Sequence, residues 1–334
     1  MDSMTGVKYM RGAGTYTTGR GAESPGFSPE GLWEEQPGGY TRSALESARE
    51  SGCVLEGWVT LCDAQYTLWV DLGCMRGRIV REEVQLCPWG EEVRDIAVIT
   101  RVGKRAAFVV MGFDRTEDGE EIAVLSRRGA QRLCREAFLD RCVPGDVLRA
   151  RVTHLEPFGA FVDVGCGIVS MLPIDAISVS RIAHPGDRFA LGQAIWVVLR
   201  SVEVGGRICI SHKELLGTWE QNAKRFQPGQ TVSGIVRSVE EYGVFVELTP
   251  NLAGLAEYRE DVAVGQRAAV YIKSMTGERM KVKLVFVDTY RGGGGGGTLH
   301  YYLPEQCRIP GVPHIDVWRY SPPGAVRCIE SVFH

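Results

Sequence analysis

No stretch of the sequence approaches the roughly 20 consecutive apolar residues of a membrane-spanning helix. The longest apolar runs are short segments such as Ala106–Met111 and Ala194–Leu199. A charged-then-apolar signal segment is missing from the N-terminus as well. There is no basic excess: 38 Lys and Arg face 41 Asp and Glu, a net charge of −3. Any affinity for nucleic acid must therefore come from local patches and not from a global field. The ten cysteines (53, 62, 74, 87, 134, 142, 166, 209, 307 and 328) never approach closer than eight residues, which leaves no Cys-x-x-Cys and reads as reduced, partly buried thiols. Neither a Walker-type Gly-x-x-x-x-Gly-Lys nor a His-Glu-x-x-His occurs, and the six histidines are dispersed. Adjacent acids such as Glu82-Glu83 and Glu240-Glu241 point to opposite strand faces or lie in turns, so they make poor acid/base dyads. These absences predict a cytoplasmic protein with no catalysis, no cofactor, no metal, no membrane association and no small-molecule substrate.

What the sequence does contain is one pattern, three times: Tyr66-Thr-Leu-Trp69-Val-Asp71-Leu, Phe158-Gly-Ala-Phe161-Val-Asp163-Val and Tyr242-Gly-Val-Phe245-Val-Glu247-Leu. The copies start 92 and 84 residues apart, so the 334 residues form three tandem units where length alone predicts about two domains. Each copy follows a β-type run (Val54–Leu61, Val147–Leu155, Val232–Val239) and precedes a Gly-aliphatic segment. Further β-rich runs complete each unit: Ile96–Arg101 and Ala106–Met111 with Ile122–Ser126, Ala194–Val202 with Arg207–Ser211, and Ala268–Ser274 with Met280–Val287. About five short strands with Gly-rich turns predict a small closed barrel per unit, hence an all-β protein of tandem five-stranded barrels.

Between units the apolar period shifts to about 3.6. Ala130, Leu133, Cys134, Ala137 and Phe138 share one helical stripe, as do Leu215, Leu216, Trp219, Ala223 and Phe226, with Ser211-x-x-Glu214 as a capping box. Short helices should join the barrels. Residues 1–42 are Gly-, Ser-, Thr- and Pro-rich without period and read as disordered, ahead of a helix opened by Ser43-x-x-Glu46. The resulting division is 43–142, 143–227 and 228–290 for the barrels, a Gly linker over 291–297, and a tail over 298–334 whose aromatics should dock it on the third barrel.

The phase of the repeated strand assigns faces. Ala160, Val162 and Val164 share one side, Phe161 and Asp163 the other. A carboxylate is rarely buried without a partner, so the Asp side reads as solvent and carries Phe161 with it. The same reasoning places Trp69 beside Asp71 and Phe245 beside Glu247. Cations alternate nearby: Arg207, the pair Lys281 and Lys283, and the pair Arg149 and Arg151. Aromatic plus cation on one face suits single-stranded nucleic acid, with π surface for bases and charge for phosphates.

These residues resemble the RNA-binding domain named after bacterial ribosomal protein S-one, a five-stranded OB-fold barrel. Its pattern of β run, Phe-Gly-x-Phe-Val-acid, Gly-aliphatic and acid-x-x-Gly-Arg-aliphatic-x-aliphatic-Ser is met by Val152 through Ser211. The match is strongest in the second unit, good in the third and weakest in the first. The strings Val152–Phe161, Ile177–Pro185 and Lys213–Trp219 are further similar to short multi-domain S-one-like bacterial proteins. The resemblance implies an RNA face made of Phe158, Phe161, Arg207 and Glu203 in the second unit, Tyr242, Phe245 and Lys281 in the third, and Tyr66 and Trp69 in the first. A histidine of the family's third strand is replaced by Val80, Pro173 and Glu257. It also implies binding of single-stranded messenger RNA in translation, in association with the small ribosomal subunit. A protein-docking adaptor on the ribosome or another RNA machine, with weak or lost RNA binding, is the competing reading.

Overall fold

The computed structural model describes residues 27–33, 38–87, 91–203, 206–290 and 299–333. The Gly-rich linker expected over 291–297 and most of the N-terminal segment lie outside these. The described residues form three closed barrels of five strands. The first is built from β1 (Leu55–Cys62), β2 (Leu68–Asp71), β3 (Arg76–Ile79), β4 (Arg105–Arg115) and β5 (Glu121–Ser126). The second has β6 (Val147–Glu156), β7 (Gly159–Asp163), β8 (Val169–Pro173), β9 (Ala194–Val202) and β10 (Ile208–Ser211). The third has β11 (Thr231–Glu240), β12 (Gly243–Thr249), β13 (Leu252–Ala256), β14 (Arg267–Thr276) and β15 (Lys281–Tyr290). Around each barrel the strands follow one order, first-second-third-fifth-fourth, with the third and fifth strands parallel. By contact the chain divides into two compact units, residues 1–141 with 163–168, and residues 142–162 with 169–334.

Period-two strands explain the interiors. Val70, Val162 and Val246, the valines of the repeated motif, are fully buried. In the first and third barrels the first strand keeps a glycine packed against the motif valine, Gly57 against Val70 and Gly234 against Val246. A Cβ on Gly57 would come within 2.6 Å of Val70 Cγ1, and one on Gly234 within 2.5 Å of Val246 Cγ1. Close strand approach at the barrel waist thus excludes a larger side chain there.

The helices depart from expectation in informative ways. α1 (Arg42–Ser51) is capped by Thr41, whose side chain accepts from the Ala44 N–H, and not by Ser43. Ile96–Arg101, read as a strand, overlaps α2 (Asp95–Ile99), which buries Val98 and leaves Ile96 and Ile99 exposed. One buried position in a five-residue turn cannot be told from alternation by pattern alone. α3 (Arg127–Ala137) follows the first barrel, capped by Ser126. The second stripe is two pieces, a 3-10 turn at Lys213–Leu216 and α4 (Trp219–Ala223), separated by Gly217 at φ +85°. Ser211 and Glu214 bond side chain to side chain, and the capping box is instead Thr218 with Gln221.

Disorder over 1–42 is corrected for the part that is described. Residues 27–33 have a defined place in the first unit, because Glu30 is buried there against Arg127. Phe27 stacks on Phe138 at 6.4 Å.

In the second unit, the linker after β10, the third barrel and residues 299–333 share one core. Trp219, Val236, Val270, Leu284, Trp318, Tyr320 and Phe333 belong to it. Asn251, fully buried, ties these parts together. It accepts from the Val179 N–H, donates to the carbonyls of Lys213 and Gly217, and its own carbonyl accepts from Tyr320 Oη. The tail also reaches the second barrel, where His314 and Arg308 meet the buried carboxylate of Asp146.

Candidate nucleic-acid interface

On β7 and the turn before it, Phe158 and Phe161 meet edge to face, with centroids 6.1 Å apart and planes at 89°. Tyr242 and Phe245 repeat the arrangement at 6.2 Å and 86°. In both pairs the inner ring is half-buried and the outer one projects, Phe158 57% and Tyr242 70% exposed. The cause is local: the outer ring belongs to the turn that enters the strand, Pro157-Phe158 or Glu241-Tyr242, and the inner ring to the strand itself.

The motif carboxylates do not share the solvent, and here the sequence reading fails. Asp71 is exposed, but Asp163 is 2% and Glu247 5% exposed. Both face outward from their barrels and are covered by other segments that satisfy them. Asp163 accepts the N–H groups of Glu30, Gly165 and Gly167. Glu247 lies between the guanidinium groups of Arg188 and Arg237. A buried carboxylate is tolerated once donors saturate it. The aromatic rings remain on the outer side of the barrels, as expected.

Cations are arranged differently from barrel to barrel. Arg207 is exposed at the start of β10 and lies 3.9 Å from Glu203; Glu203 also accepts from Cys209 Sγ at 3.2 Å. Cys209 is level with Met171 on β8, so Arg207 stands two residues away on the same outward phase. In the third barrel the ladder runs Phe245, Leu255, Lys283. Lys283 is therefore the cation in register with the ring, and Lys281 sits one period farther, opposite Thr276. Arg149 and Arg151 pair with Trp196 and Ala194 on β9. Thr153 Oγ1 donates to the Phe161 carbonyl, which leaves Arg151 two and Arg149 four residues beyond the ring along β6. Those two arginines are not brought to the ring pair. Glu257 is exposed at the end of β13, the Tyr242 end of the ladder.

The first barrel has cations that sequence reasoning missed. Arg76 covers Trp69 at 4.7 Å and Arg81 covers Tyr66 at 4.9 Å, while Arg78 is level with Trp69 on β3. The signal was present as Arg76 and Arg78 alternating with Gly77 and Ile79. Each is already engaged: Arg76 with Glu120, Arg78 with Asp114 and Arg81 with Asp95. Trp69 Nε1 further donates to Asp63. Both rings are half-buried with a face occupied by the chain's own guanidinium, so they offer less to a base than the outer rings of the other barrels. Among the described residues no cluster of His, Cys, Asp and Glu could hold a metal ion, and no helix is long and apolar enough to cross a membrane.

Comparison with known proteins agrees with this geometry. The family profile of the S1 RNA binding domain matches residues 143–213, the second barrel. The chain is similar to the small ribosomal subunit protein bS1 homolog of Bacillus subtilis, 33% identical over 159 residues, covering 46% of this chain and 41% of that protein. Against small ribosomal subunit protein bS1 of Neisseria meningitidis serogroup B it is 26% identical over 254 residues, 74% of this chain and 43% of the relative. The bS1 of Staphylococcus epidermidis is 32% identical over 143 residues, covering 41% and 36%. The chain thus spans less than half the length of these relatives. The second barrel thus matches the S1 RNA binding domain, the barrels on either side of it in the sequence repeat its strand order, and the chain is an array of tandem five-stranded OB-fold barrels similar over part of its length to bS1 proteins.

Proposed function

We propose that this chain binds single-stranded RNA through the outer faces of its second and third barrels, without catalysing a reaction on it. The observation that carries the reading is the repeated ring pair: the same edge-to-face geometry occurs twice, each time with the outer ring projecting into solvent. A lone exposed phenylalanine has little meaning, but two matched platforms offer stacking surface to unpaired bases. Phe158 and Phe161 with Arg207, and Tyr242 and Phe245 with Lys281 and Lys283, supply the contacts. Glu203 restrains Arg207, and Arg149 and Arg151 add positive charge farther along β6 for a strand that extends beyond the rings.

The likeness to bS1 proteins supports messenger RNA as the ligand and action in translation on the small ribosomal subunit, in the cytoplasm. The first barrel, with its rings covered by Arg76 and Arg81, contributes least. An anisotropy titration with labelled single-stranded RNA tests the reading, and saturable binding that falls when the ring pairs are removed is the expected result.

A further inference from the structure

The third barrel and most of the second lie in one compact unit, and a cleft of about 270 Å³ opens there, with Asp187, Arg188, Arg225, Glu247, Arg267 and His300 among its lining residues. It is smaller than the roughly 300–1,000 Å³ pockets that enclose whole small molecules. Its charges fall into two sets. On the floor, Glu247 is held by Arg188 and Arg237, and Arg237 also lies 3.4 Å from Asp187. Two carboxylates and two guanidinium groups balance there. On the walls, Arg225 after α4 and Arg267 at the start of β14 line the same cleft, and neither makes an ion pair among the described residues. The internal pairs leave a net surplus of two cations facing one space.

A ring stands at the same cleft. His300 lines it and is exposed, and Tyr302 props it edge to face at 4.8 Å. Tyr302 is itself fixed, its N–H donating to the Leu215 carbonyl at 2.8 Å and its hydroxyl to the Gln221 carbonyl at 3.4 Å. Two guanidinium groups beside a held aromatic ring match a phosphate with a base attached: planar donors for the oxygens and a π face for the base.

We infer that this cleft binds a nucleotide, its phosphate between Arg225 and Arg267 and its base against His300. The inference deepens the RNA reading, since a strand crossing from one barrel face to the other would supply that nucleotide; a free mononucleotide offers the same chemistry.

The test uses the full chain with a fluorescein-labelled oligouridine 12-mer and, separately, uridine 5′-monophosphate by calorimetry. Arg225→Gln with Arg267→Gln should weaken 12-mer binding at least five-fold. Its log–log salt slope should become shallower by about 0.7, the value for one phosphate of a single strand. His300→Ala should weaken binding without changing that slope. If the double variant melts early, Arg225→Gln alone, at an exposed position, carries the test with half the slope change. Wild-type affinity and slope in the arginine variants, alongside weakened binding in Phe158→Ala/Phe161→Ala, would overturn the cleft and leave the ring reading intact. Should the wild type bind no 12-mer, the ring reading falls and calorimetry decides the cleft. Heat lost in the double variant upholds a free-nucleotide site, and no heat in the wild type overturns it.

Discussion

Arg127 grips Glu30 with two parallel hydrogen bonds, Nε to Oε1 at 2.6 Å and Nη2 to Oε2 at 3.0 Å, both side chains almost wholly out of solvent. Arg101 adds a third contact at 3.2 Å and the Ala107 N–H a fourth at 3.0 Å. Burial alone would raise the Glu30 pKa, but the Arg127 charge and hydrogen bonds hold it below the ordinary value. This pair pins residues 27–33 to the first unit. Glu30→Gln, which leaves Arg127 buried without its counter-charge, should cost about 3–5 kcal/mol of unfolding free energy. Denaturant unfolding checks this, and a loss under about 1 kcal/mol would show that residues 27–33 are peripheral.

A second carboxylate nearby behaves in the opposite way. Glu56 is raised to about 7, chiefly by burial, with the Gly31 N–H and the Arg105 charge opposing. In the unfolded chain it titrates near 4.5. The folded state therefore holds an extra proton between those values, and stability from this group increases as pH falls from above 7 toward 4.5. Unfolding midpoints should be higher at pH 6 than at pH 8, and Glu56→Gln should flatten that difference. An unchanged pH profile in the variant would contradict the assignment.

Asn251 is the comparable joint of the second unit. Asn251→Ala removes one acceptor and two donor bonds and orphans the Val179 N–H and the carbonyls of Lys213 and Gly217. At about 1–3 kcal/mol for a buried group left unpaired, the loss should reach about 3 kcal/mol or more. Faster proteolysis within residues 299–333 should accompany it, because the side-chain bonds lost are those that hold the backbone of residue 251, whose main-chain carbonyl accepts from Tyr320. A variant as stable and as protease-resistant as the parent would remove Asn251 from this role.

The barrels were legible because their signal is local: an aromatic pair, a valine and an acid at fixed offsets, repeated at a fixed period, with strands marked by alternation. The burial of Asp163 and Glu247 was not legible, because part of what covers them comes from far along the chain, the Glu30 N–H 133 residues from Asp163 and Arg188 59 residues from Glu247. No strand pattern encodes such a partner. Phe161 and Phe245 were still assigned to the correct side, since the carboxylates point out of the barrel and only their cover was missed. Lys283 over Lys281 required the parallel register of β13 with β15, which an alternating sequence leaves open by two residues. The role of residues 27–33 escaped notice for a related reason: one acidic residue in a Gly- and Pro-rich stretch shows nothing until Arg127 is seen beside it.

The ring pairs make a prediction about the form of the ligand. Single-stranded RNA should bind more tightly than duplex of equal length, since paired bases cannot splay onto Phe158 or Tyr242. Affinity should fall with salt on a shallow slope, because few cations accompany each pair. Equal affinity for both forms in an anisotropy titration would refute stacking.

The most direct measurement compares RNA affinity and thermal stability in Phe158→Ala/Phe161→Ala, Tyr242→Ala/Phe245→Ala and Tyr66→Ala/Trp69→Ala. Stacking on an aromatic is worth about 1–3 kcal/mol per base. The first variant should therefore bind roughly ten-fold to a thousand-fold more weakly, and the second should lose less because Glu257 already repels phosphate there. The third, whose rings already carry Arg81 and Arg76, should lose little affinity. Melting of the first two should shift only slightly, as their outer rings leave no core cavity behind. Full affinity per folded molecule in Phe158→Ala/Phe161→Ala, with or without a lowered melting temperature, would contradict the assignment of this face to RNA.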